Sequence, residues 1–94
     1  MRNYELMYIL RTDLEEEATE AVINKFTDLI EKNGGEVVKV DKWGKRRLAY
    51  PIKKRTEGFY VLVDFKSEPA VSHEVERVLK ITDEVLRHMV IVKE

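Results

Sequence analysis

Four apolar positions near the start of the chain repeat with the two-residue period of a β-strand: Tyr4, Leu6, Tyr8 and Leu10. The next apolar positions repeat with the period of an α-helix: Leu14, Ala18, Ala21, Val22, Phe26, Leu29 and Ile30. Asp13, followed three residues later by Glu16, has the pattern of a capping box and predicts where this helix begins. The glycines after Asn33 predict where it ends, because glycine adopts the left-handed conformation at little cost.

The middle of the chain predicts two further strands joined by a loop. Residues 36–48 are rich in β-forming residues, and the glycine at position 44 predicts a bulge or bend there. The polar residues 53–58 predict a hairpin loop, and residues 59–65 form a nearly continuous apolar run. Such a run is typical of a buried strand, so we expect it at the centre of the sheet.

The last third of the chain predicts a helix and a final strand. Pro69 suits the first turn of a helix, and the apolar residues after it repeat with the helical period: Val71, Val75, Val78 and Leu79. Residues 85–93 predict the strand. The order β-α-β-β-α-β indicates a single α+β, ferredoxin-like domain spanning residues 1–94. We expect a four-stranded antiparallel sheet with both helices on one face and the first and third strands at its centre.

The second face of this sheet is left uncovered by the helices, and the strand pattern predicts apolar residues on it. If Tyr4 and Leu6 point toward the helices, alternate residues point away: Met7, Ile9, Tyr60, Leu62, Met89 and Ile91. A solvated face of an antiparallel sheet is usually polar, so this face predicts a binding surface for a partner. The alternatives are that the strand parity is shifted by one residue, or that the patch is tolerated in solvent.

Composition and charge narrow the class of protein. Charged residues make up 37% of the 94 residues, above the roughly 25% usual for globular domains, and there is no cysteine. Disulfides, thiolate zinc sites and cysteine nucleophiles are therefore excluded. No apolar run approaches the length of a membrane span, and the first residues do not form a signal peptide, so we expect a cytoplasmic protein without a membrane partner.

Charge is segregated along the chain although the net charge is only −1. Residues 13–36 contain eight acidic and two basic residues, whereas residues 39–55 contain eight basic residues and one acidic residue. A basic segment of this kind creates a local positive potential that attracts polyanions.

The basic segment also carries Trp43 and Tyr50, which offer stacking faces to unpaired bases. Its lysines and arginines are suited to phosphates, and an arginine can donate two hydrogen bonds to one phosphate. These features favour a nucleic-acid interface. The alternative is structural: Leu48, Ala49 and Ile52 belong to the core, and the charges protect an edge strand from aggregation.

Catalytic and metal-binding patterns are weak in this sequence. Ser72 precedes His73, but neighbours on a helix point about 100° apart and do not form a nucleophile–base pair. His88 has no matching histidine or cysteine elsewhere, which favours a structural role. We therefore expect no enzyme activity, no metal, no cofactor and no small-molecule substrate.

Motifs along nearly the whole chain resemble the family of the sixth protein of the bacterial small ribosomal subunit. The resemblance begins with Met1-Arg2-x-Tyr4-Glu5 and with Asn33-Gly34. Its most specific part is the block Gly44-x-Arg46-Arg47-Leu48-Ala49-Tyr50-Pro51-Ile52, followed by Lys54 and Gly58. It closes with Leu79-x-Ile81-x-Asp83-x-Val85-x-Arg87-x-Met89-Val90.

This resemblance implies a ribosomal protein of the small-subunit platform, located in the cytoplasm. Such proteins pair with small-subunit ribosomal protein eighteen and bind the central domain of 16S ribosomal RNA together with it. The candidate RNA-binding residues are Arg2, Lys45, Arg46, Arg47, Lys53, Lys54, Arg55, Arg87 and Lys93. Many family members carry a tail that helps to hold the partner. This sequence stops at Glu94, which leaves two alternatives: the partner is held without a tail contact, or the sequence is truncated.

Two other functions use the same fold. An acylphosphatase-like hydrolase has a phosphate cradle near its N-terminus, whereas residues 11–14 are not glycine-rich and offer no cradle. A free-standing RNA-recognition module carries aromatic residues on its open sheet face. Residues 58–61 weakly resemble its third-strand motif, and Tyr60 is the only aromatic residue that we expect at a suitable position.

Overall fold

The computed structural model describes residues 1–52 and 54–93, which form six elements in the predicted order. These are β1 (Arg2–Leu10), α1 (Glu16–Lys32), β2 (Glu36–Ile52), β3 (Arg55–Ser67), α2 (Pro69–Ile81) and β4 (Val85–Lys93). The strands pair antiparallel, and their order across the sheet is β2-β3-β1-β4. The ferredoxin-like fold with β1 and β3 at the centre is confirmed.

The core lies between the sheet and the two helices, which pack on the same face. The inward residues of β1 are those predicted by the alternation, and all of them are buried. The ring of Tyr8 lies 5.3 Å from the ring of Phe26 on α1, and Tyr4 stacks on Phe65 of β3 at the same centroid distance of 5.3 Å. On α2, Val75 is fully buried in the same cluster. Burial of these apolar surfaces supplies most of the driving force for folding.

The first helix starts without the predicted capping box. α1 begins at Glu16, its N-cap is Glu15, and no side chain caps it. The carboxylate of Asp13 instead lies 3.5 Å from Nε of Arg11 and 3.5 Å from Nη1 of Arg55. The prediction from Asp13 was wrong because two guanidinium groups, one of them distant in the sequence, compete with the backbone N–H groups for this carboxylate.

Two glycines with positive φ lie at the predicted turn and the predicted bulge. Gly34, with φ of 90°, follows the end of α1. Gly44, with φ of 82°, follows a shift in the β2–β3 register between Lys42 and Gly44. Both predictions are confirmed, and both rest on the freedom of glycine to adopt a backbone conformation that other residues rarely adopt.

The β2–β3 hairpin is longer than the sequence suggested. β2 continues to Ile52 and β3 begins at Arg55, so the predicted loop over residues 53–58 was wrong for residues 55–58. Lys54, with φ of 67°, lies in the turn, and Lys53 lies outside the described residues. Residues 55–58 are polar or glycine, so the start of β3 carries no apolar alternation that a sequence pattern could detect.

The strand register confirms which residues share the uncovered face. Met7 lies opposite Leu62 on β3 and opposite Met89 on β4, and Ile9 lies opposite Tyr60. Residues directly opposite each other in an antiparallel pair point to the same side of the sheet. The predicted parity is therefore right for all three of these strands.

One end of this face is closed by the hairpin, which buries Ile9. Its side chain is only 3% exposed and packs with Leu48 of β2 and Leu86 of β4. Gly58 allows this contact, because a Cβ at that position would overlap Cγ2 of Ile9. The expectation that Ile9 is exposed was wrong, since strand parity predicts the face of a residue but not a hairpin that folds back over it.

We expect Ile9→Asp to lower the free energy of unfolding by about 3 kcal/mol or more, because it places an unpaired charge in a buried apolar cluster. Met89→Asp is the matched control on the same face, where Met89 is 45% exposed, and we expect a change below about 1 kcal/mol. Urea denaturation of both variants measures the difference. Wild-type stability of the Ile9→Asp protein would contradict the burial of this residue beneath the hairpin.

Candidate nucleic-acid interface

The β2–β3 hairpin brings together most of the candidate RNA-binding residues. The described ones on β2, in the turn and at the start of β3 are Lys45, Arg46, Arg47, Lys54 and Arg55. All of these are exposed except Arg55, which is half-buried. Lys53 belongs to the same segment of sequence and lies outside the described residues. The hairpin therefore forms a basic arm at one end of the sheet.

The two neighbouring arginines of this arm face opposite sides. Arg46 lies opposite Gly58, and Arg47 lies opposite Glu57. Gly58 faces Ile9, so Arg46 lies on the uncovered face of the sheet, and Arg47 points to the other side because successive strand residues alternate. The arm thus presents positive charge on both of its surfaces.

Arg55 differs from the other bases of the arm because it has an acidic partner. Its Nη1 lies 3.5 Å from the carboxylate of Asp13, which also lies 3.5 Å from Nε of Arg11. This contact connects the start of β3 to the loop between β1 and α1. Part of the charge of Arg55 is therefore already balanced within the protein.

Arg87 on β4 joins the arm through a contact that the sequence did not indicate. Its Nη1 donates a hydrogen bond to the hydroxyl of Tyr50, and its guanidinium carbon lies 5.7 Å from the centroid of the Tyr50 ring. The sequence suggested a separate base-stacking role for Tyr50 and a separate phosphate-binding role for Arg87. In the fold, the contact between Tyr50 and Arg87 connects the arm to β4, the edge strand on the opposite side of the sheet.

Arg2 and Lys93 lie at the other end of the sheet from the basic arm. Arg2 starts β1, which rises by roughly 26 Å before it reaches the level of the hairpin. Lys93 lies at the end of β4, with its Nζ 3.8 Å from a carboxylate oxygen of Glu5 and 3.4 Å from one of Asp64. The sequence grouped these bases with the arm, and the fold separates them and gives Lys93 two acidic partners.

Trp43 forms an aromatic contact that sequence reasoning missed. The indole is 50% exposed and stacks on the ring of Tyr60, with centroids 6.4 Å apart and planes inclined by 16°. The guanidinium carbon of Arg46 lies 6.0 Å from the indole centroid. Tyr60 is thus not the only aromatic residue on the uncovered face. The glycine at position 44 could have predicted this placement of Trp43, because a bulge changes the direction of the neighbouring side chain.

The apolar part of the uncovered face lies beside this aromatic contact. Met89 and Ile91 are 45% and 44% exposed, and Met7 and Leu62 between them and the arm are half-buried. These four residues belong to three adjacent strands. The face therefore carries a contiguous apolar surface, bordered at one end by the basic arm.

The shifted pKa values of the described residues belong to groups outside these surfaces. Burial, with a smaller contribution from the negative charge of Glu20, raises the pKa of Tyr8 above its ordinary value. On α2, a hydrogen bond from Arg77 lowers the pKa of Glu74. Across residues 1–52 and 54–93, no three His, Asp or Glu side chains are grouped so that they could hold a metal ion. No helix in the described part of the chain has the length and apolarity needed to cross a membrane.

Comparisons with known proteins agree with the fold and with the motifs of the sequence. The family model described as ribosomal protein S6 matches residues 3–92. The small ribosomal subunit protein bS6 of Moorella thermoacetica is 58% identical over 90 residues, which cover 96% of this chain and 92% of that protein. The protein of the same name from Heliobacterium modesticaldum is 56% identical over 94 residues, covering 100% of this chain and 98% of that protein.

A solved structure supports the same assignment. The crystal structure of 30S ribosomal protein S6 from Thermotoga maritima has a TM-score of 0.93 and 31% sequence identity, and the match covers 98% of this chain and 87% of that chain. The names of these relatives are those of structural components of the ribosome and not of enzymes. The chain therefore belongs to the ribosomal protein S6 family, and is a structural protein of the small ribosomal subunit in the cytoplasm.

Proposed function

We propose that the protein binds the central domain of 16S ribosomal RNA through the basic β2–β3 arm, and binds small-subunit ribosomal protein eighteen through its uncovered sheet face. The names of the two partners come from the resemblance of the sequence to its family. The assignment of each partner to a surface comes from the charge and exposure of the residues described above.

The observation that carries the RNA proposal is a group of exposed cations without acidic partners. Among the described residues, Lys45, Arg46, Arg47 and Lys54 form no ion pair. Charges left unbalanced by the protein are available to neutralise phosphates and release their counterions. Arginine also makes the contact directional, because its planar guanidinium group can donate two parallel hydrogen bonds to one phosphate. Arg2 and Lys93 are too distant to belong to this surface, so an RNA contact there involves a different segment.

The proposal for the protein partner rests on the apolar residues that the arm leaves uncovered. Met89 and Ile91 keep nearly half of their surface exposed, and the adjoining side chains of Met7 and Leu62 are partly exposed. Burial of such surface contributes about 25 cal/mol per Å², although the loss of translational and rotational freedom on association offsets much of it. The apolar sheet face therefore favours a protein partner whose surface carries complementary apolar residues.

We expect Arg46→Glu combined with Arg47→Glu to weaken binding to the central domain of 16S ribosomal RNA. The slope of log affinity against log salt is negative, and each phosphate contact that is lost should make it shallower by roughly 0.7–0.9, because fewer counterions are released. Filter binding over a range of salt concentrations, with and without protein eighteen, measures affinity and slope together.

The charge-matched control for this variant is Lys32→Glu combined with Lys80→Glu. Both lysines are exposed near the C-terminal ends of the helices, outside the arm, and the substitutions change the net charge by the same amount. The control should retain wild-type RNA affinity apart from a weak general electrostatic effect. If the two double variants bind RNA equally well, the arm is not the RNA-binding surface.

We expect Leu62→Asp and Met89→Asp to weaken the complex with protein eighteen at least several-fold, because each places a charge in the apolar part of the interface. Both residues are at least partly exposed, so the isolated domain should fold. Isothermal titration calorimetry of each variant with protein eighteen, together with thermal denaturation of the domain alone, separates binding from folding.

Ile81→Asp is the control, because Ile81 is an aliphatic residue, 68% exposed, at the end of α2 and outside the sheet face. It should leave the affinity for protein eighteen unchanged. Normal binding by folded Leu62→Asp and Met89→Asp proteins would mean that the partner docks on another surface.

A further inference from the structure

We propose that Trp43 is a stacking site for one unpaired base of the bound RNA, and that Arg46 beside it contacts the adjoining phosphate. The inference rests on the proposed RNA binding and adds which chemical part of the RNA the arm recognises. It concerns the only tryptophan of the chain.

The bulge in β2 determines where the indole lies. Lys42 lies opposite Val61 and Gly44 lies opposite Tyr60, so Trp43 is the extra residue between two paired positions. Gly44 adopts a φ of 82°, which allows this local change of direction at low steric cost. The indole consequently lies against Tyr60 on the uncovered face, with the ring centroids 6.4 Å apart.

The indole is exposed enough to contact a base, and neighbouring side chains already restrict its orientation. It is 50% exposed, although the ring of Tyr60 stacks on it and the guanidinium group of Arg46 lies over it, 6.0 Å from the indole centroid. A large aromatic surface in water gains from stacking with a base, because every base presents an apolar π-face. Contacts that already restrict the indole reduce the conformational entropy lost when a ligand stacks on it.

The surrounding charge favours an RNA base over a protein side chain as the occupant. Arg46 and Arg47 are exposed and form no ion pair among the described residues, and both lie within four positions of the indole. The apolar residues Met89 and Ile91 lie on β4, at the opposite edge of the sheet and about 14 Å away at the usual strand spacing. Bases in a duplex have both faces covered by their neighbours, so only an unpaired base can reach the indole.

The test compares Trp43→Ala and Trp43→Phe in binding to the central domain of 16S ribosomal RNA with protein eighteen present. Trp43→Ala should lower the affinity by about 5- to 150-fold, and by the same factor at every salt concentration, because a stacked base releases no counterions. Trp43→Phe should retain most of the affinity, since it keeps an aromatic face. The melting temperatures of both variants should match the wild type, because the indole is half exposed.

Fluorescence gives a second readout of the same contact. With any tryptophan of protein eighteen replaced by phenylalanine, Trp43 is the only indole in the complex. A base stacked on it should quench its emission when the RNA is added. Unquenched emission in a fully bound complex would overturn the proposal.

The remaining outcomes separate this inference from the proposed function. Unchanged affinity of Trp43→Ala, together with weakened binding by the Arg46→Glu, Arg47→Glu protein, would overturn base stacking and leave RNA binding intact. If neither protein is weakened, stacking and the proposed RNA surface both fail. Weaker binding of Trp43→Ala to protein eighteen without RNA would assign the indole to the protein interface and would also overturn the proposal.

Discussion

Gly58 lies against the side chain of Ile9, and this close approach determines how the β2–β3 arm is placed. A Cβ at position 58 would overlap Cγ2 of Ile9 and would lie 3.3 Å from Cδ2 of Leu48. With glycine there, the arm folds over one end of the sheet and Leu48 and Leu86 enclose Ile9. Tyr50 then reaches Arg87 on the far edge strand. These contacts hold the arm, and the basic residues it carries, against one end of the sheet.

Folding back of the arm divides one sheet face into regions of different chemistry. One end carries Arg46 and the indole of Trp43, and the middle carries partly exposed apolar side chains. At the other end, Lys93 lies between the carboxylates of Glu5 and Asp64. The core between the sheet and the helices takes up most of the interior that 94 residues can form, which leaves little room for an enclosed site. The surfaces proposed for RNA and for the protein partner therefore adjoin each other on one face of the sheet.

Ion pairs within the domain decide which of its many basic residues remain available. Lys42 pairs with Glu20 on α1, and Arg55 with Asp13, so the acidic first half of the chain neutralises part of the basic segment. Among the described residues, the exposed bases Lys45, Arg46, Arg47 and Lys54 form no ion pair and keep their charge. The basic segment therefore contributes a positive surface mainly through the bases that the acidic residues of the domain do not pair with.

The sequence by itself determined the order of the elements, the core face of β1 and the parity of the uncovered face. These follow from periods of 2 and 3.6 residues, which a chain carries locally. It also located the bulge at Gly44 and the block that marks the family. Only the tertiary structure decided that Ile9 is buried, that Asp13 binds arginines instead of capping α1, and that Arg2 and Lys93 lie apart from the arm. It also paired Trp43 with Tyr60 and Tyr50 with Arg87. Each of these depends on contacts between residues distant in the sequence, and no local period encodes which distant side chain a residue will meet.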